Sequence, residues 1–182
     1  MKVAVTGSHG VGKSTLINDI LNYLNREAGL SRSFKLLEET PRQAFKLGFP
    51  INENNTPETQ LWIFAKQLEM ELVANDDYIV DKCYVDLLAY ALHFFKERQD
   101  LINTLKDISS RAANKYDLVI YLPTGEFPIE DDGVRSTDTD FQERVDKLVL
   151  KILVEFGINY VKITGNKEER LRRAIELIKV LL

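Results

Sequence analysis

The sequence predicts an α/β fold, a three-layer sandwich in which an open sheet of five parallel strands carries helices on both faces. Short apolar runs alternate with stretches of helical period along the chain. Strands separated in this way pair in parallel through right-handed crossovers. A glycine-rich turn, Gly7 to Ser14, joins the first apolar run to the first helical stretch. In such sheets the carboxyl ends of the strands are where ligands bind.

Lys2 to Thr6 reads as strand 1, its apolar run suited to burial inside a parallel sheet. Lys13 to Glu27 reads as a helix with Leu16, Ile20 and Leu24 on one face, ended near Gly29. Phe34 to Glu38 reads as strand 2. Pro41 breaks the chain, and a short helix follows to Leu47. Gly48-Phe49-Pro50 and Asn52 to Asn55 are loop chemistry. Thr56 then caps a helix that has Pro57 in its first turn and carries Leu61, Phe64, Ala65, Leu68 and Leu72. Tyr78 to Val80 reads as strand 3, ending in Asp81. Helical stretches cover roughly Tyr84 to Phe95 and Gln99 to Ala113, and Asp117 to Leu122 reads as strand 4. Pro123 to Thr137 is polar, with Gly125, Pro128 and Gly133, and has no apolar period. Asp138 to Phe156 returns to helix, closed by Gly157. Tyr160 to Ile163 reads as strand 5. Asn166 caps a last helix with Leu171, Ala174, Ile175, Ile178 and Leu182 on one side.

The 182 residues suit a single domain, 1–182, and their make-up, 45% apolar and 29% charged, is that of a globular chain. No run is long and apolar enough to cross a bilayer, and the N-terminus lacks a basic segment followed by an apolar one, so a cytoplasmic location is expected. Cys83 is the one cysteine, which excludes an internal disulfide, and no Cys/His spacing suggests zinc. A net charge of −4 disfavours nucleic acid as a main partner. The densest basic cluster, Lys167, Arg170, Arg172 and Arg173, is interrupted by Glu168, Glu169 and Glu176 and reads as a solvated helix face.

Gly7-Ser8-His9-Gly10-Val11-Gly12-Lys13-Ser14 is a complete G-x-x-x-x-G-K-[ST] phosphate loop, with a strand before it and a helix after it. Its glycines let the backbone curl until successive N–H groups form a concave anion site, and the helix adds its positive dipole end. Lys13 is placed to reach the β- and γ-phosphates of a nucleotide. Ser14 is placed to hold Mg²⁺ through its hydroxyl, with Thr15 beside it.

Other groups converge on the same rim. Asp81 ends an apolar strand, where a carboxylate holds a Mg²⁺-bound water or takes a proton from an attacking hydroxyl; the plain alternative is a surface helix cap. Glu39 and Arg42 stand three apart across a bend. They form either a grip on a substrate hydroxyl and a phosphate or carboxamide, or a surface ion pair, and Glu38 competes with Glu39. Arg135 falls in an expected lid, about residues 124–137, where a cation would meet a migrating phosphoryl group; otherwise it is an exposed loop arginine. Gln60, Trp62, Gln67, Tyr84 and Tyr90 either shape an acceptor pocket or fill the core. His9 holds a variable loop position, His93 reads as structural, and Cys83 as a small buried residue. Asn114-Lys115-Tyr116-Asp117 spells a guanine-reading tetrad but precedes strand 4 instead of following a strand. Asn166 to Glu169 follows strand 5 yet ends in Glu, and there is no D-x-x-G segment, which argues against a regulatory GTPase.

The ordered set resembles P-loop nucleoside and nucleotide kinases. It comprises the phosphate loop, Glu39-x-x-Arg42, Asp81-Lys82 with Asp86-x-x-Ala89-Tyr90, Asp132-Gly133-Val134-Arg135, and a closing pattern around Gly157 and Ile163-Thr164-Gly165. It is most similar to the NadR-type ribosylnicotinamide kinase domain and the related AAA-domain family of small ATPases. A weaker likeness ties Asp81 to Tyr90 to thymidylate kinases, with Lys82 replacing their arginine and Cys83 their aromatic residue. The resemblance implies ATP at the phosphate loop, adenine near Gly165 and Asn166, Arg135 on a lid, and an acceptor between Glu39-Arg42 and Asp81. For the side chain of Asn166, a plain helix N-cap is the favoured role.

The resulting expectation is Mg²⁺-dependent transfer of the γ-phosphoryl of ATP to a small nucleoside or nucleoside monophosphate, with nicotinamide riboside as the best guess. Lys13, Asp81, Arg135 and Glu39 would act in catalysis, and Glu39, Arg42, Gln67 and Tyr84 would surround the acceptor. The rival expectations are a stand-alone ATPase acting on a protein partner, a polynucleotide 5′-kinase, and a non-catalytic nucleotide-binding module.

Overall fold

The computed structural model describes residues 1–26, 33–74, 77–129 and 136–182. Five strands form one parallel sheet: β1 (Lys2–Thr6), β2 (Lys35–Leu37), β3 (Tyr78–Asp81), β4 (Leu118–Tyr121) and β5 (Tyr160–Lys162), in the order β2-β3-β1-β4-β5. The helices are α1 (Lys13–Arg26), α2 (Thr40–Lys46), α3 (Pro57–Ala74), α4 (Tyr84–Phe95), α5 (Gln99–Ala113), α6 (Thr139–Glu155) and α7 (Lys167–Leu181). The alternation of strands and helices expected from the sequence is present throughout.

Successive side chains of a strand leave it on opposite faces, so each central strand feeds two cores. Val3, Val5, Ile79 and Ile120 pack with Leu16, Ile17 and Ile20 of α1 and Ala174, Ile175 and Ile178 of α7. Ala4, Val80, Val119 and Tyr121 pack on the other face with α4, α5 and α6. The edge strands are short, and Leu36 of β2 is partly open to solvent. Among the described residues no helix is long and apolar enough to cross a membrane.

Three local expectations change. Pro41 does not break the chain but sits in the first turn of α2, where its missing N–H is no loss. In α3, Thr56 does cap the helix by accepting the Thr59 N–H at 3.2 Å, yet the buried face is Ile63, Phe64, Gln60 and Gln67. Leu61, Leu68 and Leu72 lie on the outside. Polar side chains take inward positions because the interior supplies partners: Gln60 Nε2 donates to Leu87 O at 3.0 Å, and Gln67 Nε2 to Glu71 at 2.7 Å. The basic cluster of α7 is also not uniformly solvated, since Arg170 is only 2% exposed.

Candidate active site

The phosphate loop lies between the end of β1 and the start of α1. Its backbone needs glycine where it curls. Gly7 has φ 140°, and a Cβ there would stand 2.3 Å from Leu122 O. Gly12 has φ 87°, a region that L-residues seldom enter. Asp86 in the first turn of α4 is fully buried and holds two elements together. Its Oδ1 accepts the Gly7 N–H and its Oδ2 the Cys83 N–H, each at 2.8 Å. The loop is pressed from above as well. Gln142 of α6 donates to His9 O at 2.6 Å, and Tyr90 OH lies 2.8 Å from His9 Nδ1.

Lys13 Nζ donates to Gly7 O at 2.9 Å and Ser8 O at 2.6 Å, so the ammonium lies inside the concavity. Burial lowers its pKa from the usual lysine value, and Asp86 opposes that shift. Ser14 Oγ donates to Asp81 Oδ2 at 2.5 Å, while Asp81 Oδ1 is buried with no hydrogen-bond partner among the described residues. Burial and then the neighbouring Glu39 carboxylate raise the pKa of Asp81 above the usual range. A hydroxyl beside a carboxylate with an unused oxygen suits a hard, oxygen-seeking ion such as Mg²⁺, which needs only one or two protein carboxylates. No cluster of three or more His, Cys, Asp or Glu side chains suited to a metal occurs among the described residues.

Glu39, at the start of α2, bridges two cations: Arg42 Nε at 3.0 Å and Lys82 Nζ at 3.5 Å. Lys82 follows β3 with φ 72°, and its ammonium lies 4.6 Å from the centre of the Tyr90 ring. Burial alone would lower its pKa, but Tyr90, Glu39, Asp86 and Asp81 outweigh that and hold it above the ordinary lysine value. Strained backbone of this kind persists only where its surroundings fix it. Beside Lys82 lies a small cavity of about 30 Å³, lined in part by Asn55, Gln60, Tyr90 and Phe94. Its amides have a forced orientation. Leu87 O accepts from Gln60 Nε2, so Gln60 Oε1 must face Asn55 Nδ2, at 2.9 Å. That leaves Asn55 Oδ1 as a buried acceptor with no partner among the described residues.

A larger cavity of about 210 Å³ opens on the other side of the loop, lined by Gly10, Gly12, Thr15, Leu16, Phe127, Pro128, Lys167 and Arg170. Gly165 and Asn166, expected near the adenine, are not among its lining residues but directly precede Lys167, which is. Gly165 N–H donates to Glu126 at 3.0 Å. Asn166 caps α7, accepting the Glu169 N–H at 3.0 Å, the favoured role for that side chain.

The loop is thus linked to Asp81 through Ser14, Glu39 lies near enough to Asp81 to raise its pKa, and Arg42 pairs with Glu39. Gln67 and Tyr84, expected around the acceptor, are not brought there. Gln67 is enclosed by Thr40 and Glu71, and Tyr84 packs on Phe64 with ring centres 6.0 Å apart. Gln60 and Tyr90 line the small cavity instead. Arg135, and with it residues 130–135 of the expected lid, lie outside the described residues. His93 packs on Phe94 and Phe141, and Cys83 is buried at the head of α4. Two contributors were not recognised beforehand as site residues, Asp86 and Arg170. Asp86 had a signal: an acidic residue three positions after a helix N-cap, Cys83.

A phosphate loop on a parallel sheet of this strand order, with a carboxylate from β3 against its serine, defines a P-loop α/β protein. The chain belongs to the AAA domain family, which it matches over residues 2–170. A search of curated proteins found no match. Among solved structures the fold is similar to the NadR protein in complex with NR, at TM-score 0.76 and 18% identity, over 98% of this chain and 50% of that one. It is also similar to deoxyadenosine kinase from M. mycoides, solved with dcmp and dcdp, at TM-score 0.66, 18% identity and coverage of 99% and 97%. A third similar fold is thymidylate kinase from Ehrlichia chaffeensis, at 0.65, 18%, 100% and 98%. The chain thus spans half the length of the NadR protein and nearly all of the two kinases.

Proposed function

We propose that the chain is a P-loop kinase that transfers the γ-phosphoryl group of ATP to a hydroxyl of a small nucleoside. The observation that carries this reading is a chain of neighbouring groups: the Ser14–Asp81 pair of the phosphate loop adjoins the Glu39 carboxylate, which is held by Arg42 and Lys82. A phosphate site and a candidate general base therefore meet at the ends of neighbouring strands.

In this reading the loop amides and Lys13 bind the β- and γ-phosphates. Ser14 and Asp81 would hold Mg²⁺, which when bound screens the phosphate charge. Glu39 takes the proton of the acceptor hydroxyl as its oxygen bonds to the γ-phosphorus, and ADP leaves with the bridging oxygen. Arg135 keeps its expected role as the cation facing the transferred group.

The charges favour a nucleoside over a nucleoside monophosphate. The acceptor-side cations near the cleft, Arg42 and Lys82, both pair with Glu39, and Asp81 and Asp86 add further negative charge. A dianionic phosphate would meet little uncompensated positive charge there. A neutral or cationic nucleoside fits better, and nicotinamide riboside is such a molecule; the fold likeness to the NadR protein in complex with NR supports that choice. Asn55 Oδ1 would accept an N–H of the acceptor's base or carboxamide. The cavity beside it, about 30 Å³, holds a water and not a nucleoside, so Ile51 to Asn55 would shift outward on binding.

The test is a coupled assay of ADP formation from Mg-ATP over a panel of nucleosides and monophosphates. Nicotinamide riboside or another nucleoside should raise turnover above the acceptor-free rate. Turnover that no acceptor raises would remove the kinase reading, and hydrolysis stimulated by a protein partner would replace it.

A further inference from the structure

Arg170 is the least expected charged group in the molecule. It lies in the first turn of α7, 2% exposed, at the head of the face that Ala174 and Ile178 continue into the core. Its guanidinium joins three separate segments. Nη1 donates to Val11 O of the phosphate loop at 2.7 Å, Nε to Gly165 O of the β5–α7 turn at 3.0 Å, and Nη2 to Glu126 Oε2 at 2.5 Å. Glu126 Oε2 also takes the Gly165 N–H. The ring of Phe127 covers the guanidinium with its centre 4.5 Å away. The cavity of about 210 Å³ is lined by Phe127 and Pro128 together with Thr15, Leu16, Lys167 and Arg170.

A buried arginine is costly to desolvate, and one carboxylate takes at most two of its five N–H donors, so the rest need other acceptors. This one places a charge-assisted bond on a main-chain carbonyl of the phosphate loop, Val11 O. Such a bond stiffens the curl that aims the loop's N–H groups. Its planar face meanwhile fixes Phe127, an aromatic surface 39% exposed and turned to the cavity. A flat, apolar wall beside a phosphate loop suits a nucleobase, because stacking gains free energy from any aromatic base.

We propose that Arg170 is a positioning residue that joins the base-side cavity to the phosphate loop, so that one assembly, Glu126–Arg170–Phe127, grips the base of a nucleoside triphosphate and shapes the loop around its phosphates. This rests on the reading of Gly7 to Thr15 as a nucleotide phosphate site. The assembly makes the base and the triphosphate tail a single recognised unit. Glu126 sets the position of the guanidinium, the guanidinium sets the ring, and the same guanidinium holds Val11 O.

Two probes separate the halves: Mg-ATP, and Mg-tripolyphosphate, which has the phosphate chain without a base. Both are titrated by calorimetry into the full chain and into F127A, E126Q, R170K and R170K/F127A, each first shown by circular dichroism and thermal melting to be folded. F127A should weaken ATP by about tenfold and leave tripolyphosphate within about twofold. E126Q should act in the same direction by about threefold. R170K should weaken both probes, since lysine cannot span Val11 O, Gly165 O and Glu126 at once. In that background F127A should cost ATP less than about threefold, because the ring has lost its support. Equal losses for both probes in F127A and E126Q would reduce the assembly to general packing and overturn the proposal. So would an R170K variant that binds tripolyphosphate as the parent does, or strict additivity in the double variant. If R170K does not fold, F127A and E126Q still decide the base-side half. A parent chain that binds neither probe is a different result, one that removes the phosphate-site reading itself.

Discussion

Replacing Asp86 by asparagine perturbs the phosphate loop without changing the size of any side chain. In the structure both carboxylate oxygens accept main-chain N–H groups at 2.8 Å, Gly7 from the loop and Cys83 from the head of α4, and the side chain is fully buried. Hydrogen bonds to a charged acceptor are each worth about 1.5–3 kcal/mol. Asparagine keeps one oxygen, so one bond weakens to the neutral kind, and the other is replaced by an N–H₂ group facing an N–H donor. The orphaned donor costs about 1–3 kcal/mol more. Lys13 also loses the strongest of the charges that oppose its desolvation. The expected loss is about 3–4 kcal/mol, a large share of the roughly 5–15 kcal/mol that holds a domain together. Urea unfolding at pH 7, followed by circular dichroism, should show the midpoint falling with an unchanged slope. A loss below about 0.5 kcal/mol would refute the reasoning, because a donor turned against a donor cannot be that cheap at a fully buried site.

Other expected outcomes test other parts of the structure. Gly7→Ala should destabilise the chain by more than about 3 kcal/mol, since the new Cβ meets Leu122 O at 2.3 Å, whereas Gly12→Ala, whose nearest neighbour is 3.6 Å away, should cost about 1–2 kcal/mol from backbone strain alone; thermal melting ranks the two. Glu39→Gln should lower kcat with the best acceptor by about 10²–10⁴ while changing the KM for ATP little, and a matched loss in both would make Glu39 a binding group only. Asp146→Asn concerns pH. Burial raises the Asp146 pKa above its ordinary 3.8, with the Tyr121 and Thr124 hydroxyls opposing the shift. The folded chain then holds the proton in a window where the unfolded chain has lost it, so this group makes stability fall as pH rises from 3.8 through the raised value. The asparagine variant should gain on the parent across that window, and parallel urea midpoints from pH 3.5 to 7 would contradict it.

Much of the architecture was legible because parallel strands announce themselves. Val3-Ala4-Val5 and Leu118 to Tyr121 are apolar without alternation, since both faces are covered. The phosphate loop was legible residue by residue, because its glycines answer to backbone geometry that nothing else satisfies. The face of α3 was not. Leu61, Leu68 and Leu72 outweigh Gln60 and Gln67 on any hydrophobic count, and only the distant Leu87 carbonyl and Glu71 reveal why glutamines turn inward. Gln67 and Tyr84 were placed at the acceptor on residue type alone, while the direction of each side chain depends on how α3 and α4 pack. Arg170 had a signal in helical spacing, since it stands four and eight residues before Ala174 and Ile178 on the apolar side of α7, but its partners on the phosphate loop and at Glu126 are distant in sequence.

The position of β1 has a consequence for how the chain is made. It is made before the strands it pairs with, β3 and β4, so its hydrogen bonds wait for residues 78–81 and then 118–121. At a synthesis rate of about 5–20 residues per second, the last of them arrives on the order of ten seconds later. Through that interval an apolar ribbon with two bare edges must stay unpaired in a crowded cell, and a slow codon between Tyr84 and Ala113 would lengthen its exposure while the sheet still lacks one side. Aggregation of a nascent fragment truncated before β4 is where this would be seen.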